Sequence, residues 1–411
     1  MKYVIIIMSA FFVGSVCAQI PVNTQIWSGH NKIGFSSGIN AASGDFNNDF
    51  GLSLTSDDQI SQDVISDQAG KLSTSGLNRL GLDYETSIFA SLPVSISSHS
   101  LLIKFSDASH VSILAPADAF SMVFEGNESF AGDTLVVSDA SVLAMRYQKI
   151  GLGWQFTPSI GTSIYAVANF VNGEQLASLN IDRGTVFTSE FGDTLIGDFF
   201  ASYAQSDTGS VGFASPNGSG FSIDFGMSTR LSAGNSEWDL SFDVVDLGRV
   251  FWQPRTILSE IDTVVNWKGV GLPEIDEIDD AFTKNLSDSL LGSVNGLIGK
   301  SRYQNWLPGT FHTQILQSRS HGVEWGGGAV VRWHAGYNPF AYLLGGYQFN
   351  KFIDCHAVLG YGGLGDVQFG LQAKAMFDHL QAGLSIQNLE GWILPKSHLG
   401  ASGRLSVQYL F

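Results

Sequence analysis

Seven titratable side chains in the last quarter of the chain fall into register. Glu324, Arg332 and His334 share one parity of the stretch "GVEWGGGAVVRWH"; Asp354 and His356 share one parity two alternating segments later, and Lys374 and Arg404 stand on segments beyond. In an extended strand, residues two apart point to the same face. Acids and bases of both signs would therefore meet on one surface. That arrangement has two uses. Paired across a low-dielectric interior, the charges form a network in which loss of one member leaves an uncompensated charge. Lining a pore, they form a constriction that selects ions.

Other motifs are weaker. Gly360, Gly362 and Gly365 match G-x-G-x-x-G, but a dinucleotide site needs a helix next, and "DVQFGLQAKA" alternates like a strand. The glycines read as a hairpin turn. Gly34-Phe35-Ser36-Ser37-Gly38 matches G-x-S-x-G without the helix that must follow a nucleophile elbow. A membrane-embedded acyl hydrolase therefore has no constellation to support it. The 9 His are scattered, with no pair at i, i+2 or i, i+4, so no metal or cofactor is indicated.

The elements that must position the charges have a period of two. Val367, Phe369, Leu371, Ala373 and Ala375 alternate with Asp366, Gln368, Gln372 and Lys374. Leu380, Ala382, Leu384 and Ile386 alternate with Gln381, Ser385 and Gln387. Phe221, Ile223, Phe225 and Met227 oppose Ser222, Asp224, Ser228 and Arg230, and Trp238, Leu240, Phe242 and Val244 oppose Asp239, Ser241 and Asp243. A soluble sandwich would show the same alternation with its apolar face inward. Segments of about ten residues, the length of a tilted membrane-crossing strand, favour a membrane barrel. Trp238, Trp325, Trp333, Tyr342 and Tyr409 near segment ends read as an interfacial aromatic girdle.

Both ends of the chain agree. Lys2, the apolar run Val4 to Val16 and the small residues through Ala18 read as an export leader over residues 1–18, with lipidation of Cys17 the lesser alternative. Residues 19–411 are then a single barrel domain whose one thiol is Cys355. At the other end Leu405, Val407, Tyr409 and Phe411 alternate with polar residues up to the last position. A closing strand explains this, because an open sheet edge in lipid leaves backbone groups unsatisfied. Tyr409 and Phe411 are the expected assembly signal. A formal charge of −17 with no basic cluster excludes nucleic acid as a partner.

Two segments break the alternation. "PADAFSMVFEG" predicts a short helix near 116–125, with Pro116 at its start. Ile275, Ile278, Phe282, Leu286, Leu290, Val294 and Leu297 recur every three or four residues after an acidic first turn, predicting a helix near 273–299. The fold class is thus all-β, a transmembrane antiparallel barrel of about 14 strands, with 12–16 as the range, and two helical inserts.

The chain resembles a group of uncharacterised outer-membrane barrels of the Bacteroidetes type, similar in outline to the long-chain fatty-acid transporter barrels. The resemblance rests on Gly126 to Gly132 ("GNESFAG"), Tyr147, Asp243 to Trp252 ("DVVDLGRVFW"), Trp267 to Leu272 ("WKGVGL"), Tyr303 and Leu307-Pro308. The chain departs from these barrels at its N-terminus, where "QIWSGHNKIGFSSG" carries no Asn-Pro-Ala-type opening. The resemblance implies a fold, the cell outer membrane, contact with lipid and with the barrel assembly machinery, and no substrate. Passive passage or uptake of small, hydrophobic molecules included, is the leading expectation, and a non-conducting structural or secretion-associated barrel the alternative. Neither expectation makes it an enzyme.

Overall fold

The computed structural model describes residues 31–54, 60–94, 98–207, 209, 212–233, 236–268, 298–320, 322–333 and 336–411. Seventeen strands, β1 to β17 in chain order, form one sheet that closes on itself. Fourteen of them are staves of an antiparallel barrel. Around the ring these are β1 (Lys32–Ser43), β2 (Asn78–Pro93), β3 (His99–Ala115), β5 (Ala140–Ser159), β6 (Thr162–Thr188), β8 (Gly218–Ala233) and β9 (Ser236–Lys268). Then follow β11 (Thr310–Ser320), β12 (Val323–Arg332), β13 (Asn338–Asn350), β14 (Ile353–Gly363), β15 (Val367–Phe377), β16 (Leu380–Gln387) and β17 (Leu399–Leu410).

The seam is β1 against β17, in register from Lys32↔Leu410 to Ser43↔Leu399. The Phe411 N–H continues it by donating to Asn31 O at 3.1 Å. No sheet edge remains along the ring, which is the condition a barrel in lipid must meet.

Alternation decides which face is which. On β17 Leu405, Val407 and Tyr409 are 47%, 37% and 49% exposed, whereas Ser402 and Arg404, of the other parity, are buried. Leu371, Leu384, Ile386, Phe221, Phe369 and Leu343 likewise face out. The apolar parity is therefore the outer wall and the polar parity the lumen, the reverse of a soluble sandwich. Among the described residues no helix is long and apolar enough to cross a membrane.

The two ends of the barrel differ. At the end that holds Asn31 and the C-terminus, connections are short, as between β5 and β6 or β13 and β14. Outward aromatic rings gather there: Trp238 meets Trp325 edge-on at 5.4 Å, Phe352 stacks on Phe377 at 5.9 Å, and Tyr409 on Phe411 at 6.4 Å. Two of the five residues expected in this girdle are elsewhere. Tyr342 points into the lumen, because its parity is that of Gly328 across the β12–β13 ladder and its hydroxyl finds a partner in His312. Trp333 lies past the end of β12, packed over Gly309.

The opposite, loop end carries the long excursions. Among the described residues four helices sit there: α1 (Asn48–Ser53), α2 (Gln62–Ala69), α3 (Ala117–Phe124) and α4 (Glu390–Ile393). Only α3 was expected. It buries Phe120, whose ring lies 5.3 Å from that of Phe50 on α1 and 6.0 Å from Phe46, forming an apolar cluster with Ile65, Leu72 and Leu399. The Asn47 side chain caps α1 by accepting from Phe50 N. Asn48 ties α1 to the β17 side of the ring: its N–H donates to Pro395 O at 2.9 Å, and Gly400 N donates to its Oδ1 at 2.9 Å.

The second expected insert, near 273–299, falls almost wholly outside the described residues. Its last two positions are strand. Ile298 and Gly299 begin β10 (Ile298–Trp306), paired to Ser259 and Leu258 of β9. The reason is the length of β9, whose 33 residues far exceed the ten or so that a crossing strand uses. Its upper half offers ladder positions to β7 (Thr194–Gln205) on one side and β10 on the other. With the upper half of β6, edged by β4 (Thr134–Val136), these strands carry the sheet beyond the ring.

Gly360, Gly362 and Gly365 mark the hairpin between β14 and β15. Gly362 has φ +103°, a left-handed conformation that glycine adopts without a Cβ clash. Gly34 to Gly38 lie within β1, on extended backbone.

Candidate functional site in the lumen

The inward parity of the staves brings together far more charge than the seven residues first singled out. Of those, Glu324, Arg332, Asp354, His356, Lys374 and Arg404 stand on inward positions, while His334 lies outside the described residues. Glu324 Oε2 is 3.2 Å from His356 Nε2, across β13. Gly346 makes this possible, since a Cβ there would sit 2.1 Å from the imidazole. Asp354 lies opposite Lys374 in the β14–β15 ladder.

The other half of the network comes from β2, β3 and β5, which sequence patterning did not single out, and from β8 and β9, whose Asp224 and Asp243 it placed on the polar parity without counting them among the seven. Lys104 Nζ lies 3.1 Å from Glu85 Oε1. Asp83 accepts from His110 Nδ1 and, at 2.5 Å, from Arg332 Nη1. Arg332 also donates from Nε to Thr310 Oγ1 at 3.2 Å, and its guanidinium stands over the Tyr337 ring at 5.3 Å. Lys149, buried on β5, donates to Asp246, which takes a further bond from Tyr147 OH at 3.2 Å. Asp246 reaches inward through a bulge of β9 with φ +60°. Its N–H donates to Asp224 Oδ1 at 2.9 Å. Deeper, Asp243 accepts from Tyr165 OH at 2.6 Å and faces His312 Nδ1 at 3.5 Å, and His312 Nε2 meets Tyr342 OH at 2.8 Å.

These groups are buried although they face the lumen: Lys104, Lys149, Asp224, Asp243 and His312 are each at most 2% exposed. Side chains fill this level of the barrel. Toward the loop end the filling turns apolar, with Met145, Val171, Leu176, Val250, Trp252 and Leu307 packed together.

Beside that apolar layer lies a cavity of about 670 Å³. Inward residues of β2, β3, β5 and β6 wall one side, among them Arg79, Leu114, Ser141 and Asn180. Tyr303, Asn305 and Trp306 of β10 and Tyr337 close the other, and Arg332 forms part of the floor. Asp45, just outside, accepts from the Arg79 N–H at 2.7 Å, and burial pushes its carboxyl above the ordinary range. Among the described residues no group of three or more His, Cys, Asp or Glu is placed to hold a metal ion.

A closed fourteen-stave barrel with a charged, filled lumen is thus the class of protein. Residues 28–382 match the model of a family of unknown function, DUF5723, and the chain belongs to that family. No curated protein matches it. Among solved structures it is similar to a deltaS2S3 mutant of the monoaromatic hydrocarbon channel TodX, at 9% identity over 96% of this chain and 93% of that one, with a TM-score of 0.48. It is also similar to the monoaromatic hydrocarbon channel CymD (11% identity, 98% and 96% covered, TM-score 0.34). A third is the translocator domain of autotransporter NalP from Neisseria meningitidis (6% identity, 93% and 89% covered, TM-score 0.33).

Proposed function

We propose that this protein is an outer-membrane barrel that admits small solutes from its loop end and is shut to ions at rest. The membrane placement is supported by the outer wall, whose apolar parity and terminus-end aromatic rings are those of a lipid-facing surface. Short turns at the terminus end and long excursions at the other match the periplasmic and extracellular ends of such barrels.

One observation carries the functional reading. The cavity of about 670 Å³ lies directly over Arg332, and Arg332 bridges two opposite walls through Asp83. A chamber of that size falls within the range of small-molecule sites. A bridge beneath it holds the lumen closed until the pair parts. The protein then takes up solute passively, without the standing current of an open porin.

Reconstitution tests this. Wild-type barrels in planar bilayers should show no steady ohmic current, while proteoliposomes should accumulate a small organic solute faster than empty vesicles. A large resting conductance would refute the closed state, and flux no greater than through empty vesicles would leave the barrel a purely structural one.

A further inference from the structure

The chain carries 38 acids against 21 Lys and Arg. The cavity inverts that balance. Its lining includes Arg79 and Arg332 and no Asp or Glu. Of these two cations, Arg332 is already engaged by Asp83, Thr310 and the Tyr337 ring. Arg79 is different. Its backbone N–H is held by Asp45, whose carboxylate also feels its charge, yet its guanidinium makes no hydrogen bond or ion pair among the described residues. Asp83, the carboxylate beneath, is occupied by Arg332 and His110.

A guanidinium presents five donors in a planar fork that matches a carboxylate edge-on. Left without such a partner in a partly enclosed site, it is a fixed positive field with open donors. Around it stand three aromatic side chains, Tyr303, Trp306 and Tyr337, the last two each with a guanidinium (Arg249, Arg332) over one face, and the amides of Asn180 and Asn338. Flat rings offer faces for stacking another flat body, and amides bond polar substituents in its plane. Long alkyl chains suit such a lining poorly, since the amides and seryl hydroxyls would lose water without gaining partners.

We infer that the cavity binds compact, flat organic anions, with the anionic group on Arg79 and the ring system among Tyr303, Trp306 and Tyr337. This rests on the uptake reading above and names the solute class it would serve. The site discriminates by charge: a neutral amide of the same shape fills the space but offers the Arg79 fork no carboxylate edge.

Calorimetry on the full chain in lipid nanodiscs, with empty nanodiscs subtracted, tests it using 2-naphthoate and 2-naphthamide. Wild type should bind the acid at least tenfold more tightly than the amide. Arg79→Gln should lower acid binding at least tenfold and leave amide binding and melting unchanged, whereas Arg79→Lys should keep part of the preference for the acid. Equal affinity of wild type for acid and amide overturns the anion assignment while leaving the uptake reading intact. No binding of either probe overturns both. A drop in melting temperature of Arg79→Gln would show a structural role instead, and the Arg79→Lys preference then decides: if it is absent, the assignment fails.

Discussion

Arg332 Nη1 stands 2.5 Å from Asp83 Oδ2, although their strands, β12 and β2, lie seven steps apart around a ring of fourteen (β2, β3, β5, β6, β8, β9, β11, β12). No pair of staves in such a ring can be farther apart. Contact across that span means that the lumen is pinched at this level, and the pair is a strut between opposite walls.

Breaking the strut on one side leaves a buried charge. Arg332→Gln or Asp83→Asn alone should cost about 3 kcal/mol, because each parts an ion pair held away from water, and Arg332→Gln should cost the less of the two, since His110 still faces Asp83. The double variant should recover most of that loss. It should also raise conductance in planar bilayers. Additive losses in the double variant would show that the two residues do not act on each other.

On the outer wall, Val407→Arg and Leu384→Arg place a charge in the apolar belt and should each cost about 2–4 kcal/mol if near the midplane. Gln381→Arg, on the lumen parity of β16, should be tolerated. Urea titration of refolding into vesicles measures both. Equal losses at the two parities would contradict a lipid-facing outer wall.

The seam gives a third expectation. Phe411 stacks near Tyr409 and donates its N–H to Asn31 at the outer end of the β1–β17 ladder. Deleting Phe411 should leave the chain in the periplasm as a protease-sensitive species, read by fractionation and heat-modifiable mobility. A normal yield of folded barrel in the outer membrane would remove any role of this residue in assembly.

The fourth concerns pH at the loop end. Asp45 and Glu390 both have carboxyls pushed upward, chiefly by burial. A raised value in the folded state means that the fold holds the proton more tightly than the unfolded chain does. The stabilisation is therefore complete below the unfolded value, about 4, and is lost as pH rises through the folded one. The cap built by α1 and α4 should open more readily at pH 7 than at pH 4, measured as hydrogen exchange corrected for intrinsic rate. Asp45→Asn with Glu390→Gln should flatten that dependence. An opening free energy independent of pH in the wild type would contradict it.

Much of the wall was legible from residue types. Where a stave carries aliphatic or aromatic side chains on one parity and short polar ones on the other, as in Val367–Phe377 or Leu405–Tyr409, the faces follow directly. The lumen charges of β12, β14, β15 and β17 came with them. Those of β2, β3 and β5, and Asp246 of β9, did not, and the reasons are local. Asp107 and Arg146 are polar on the outward parity and pair with each other, which blurs the alternation of β3 and β5. Bulges at Arg146/Tyr147, Ile181/Arg183 and Ile223/Phe225 reset the parity partway along a strand, so that Asp246 reaches inward where a strict period would misplace it. Tyr342 looks like a girdle ring until His312, thirty residues earlier, is seen to take its hydroxyl. Helices α1 and α4, of 6 and 4 residues, are too short to display a helical period. Arg79 shows no signal in the sequence, because what marks it, a guanidinium with no hydrogen bond or ion pair among the described residues, exists only in space.

The β1–β17 seam joins positions more than 350 residues apart along the chain. Until that ladder zips, the sheet has two free rims, and every amide on them is a template for the wrong strand. A contact so distant in sequence forms late, because loop closure must come first. The slow step of folding is therefore the last one, and it is also the step that removes the hazard. The chain is most open to mispairing until β1 meets β17, and afterwards the ring has no free rim from which unravelling could start.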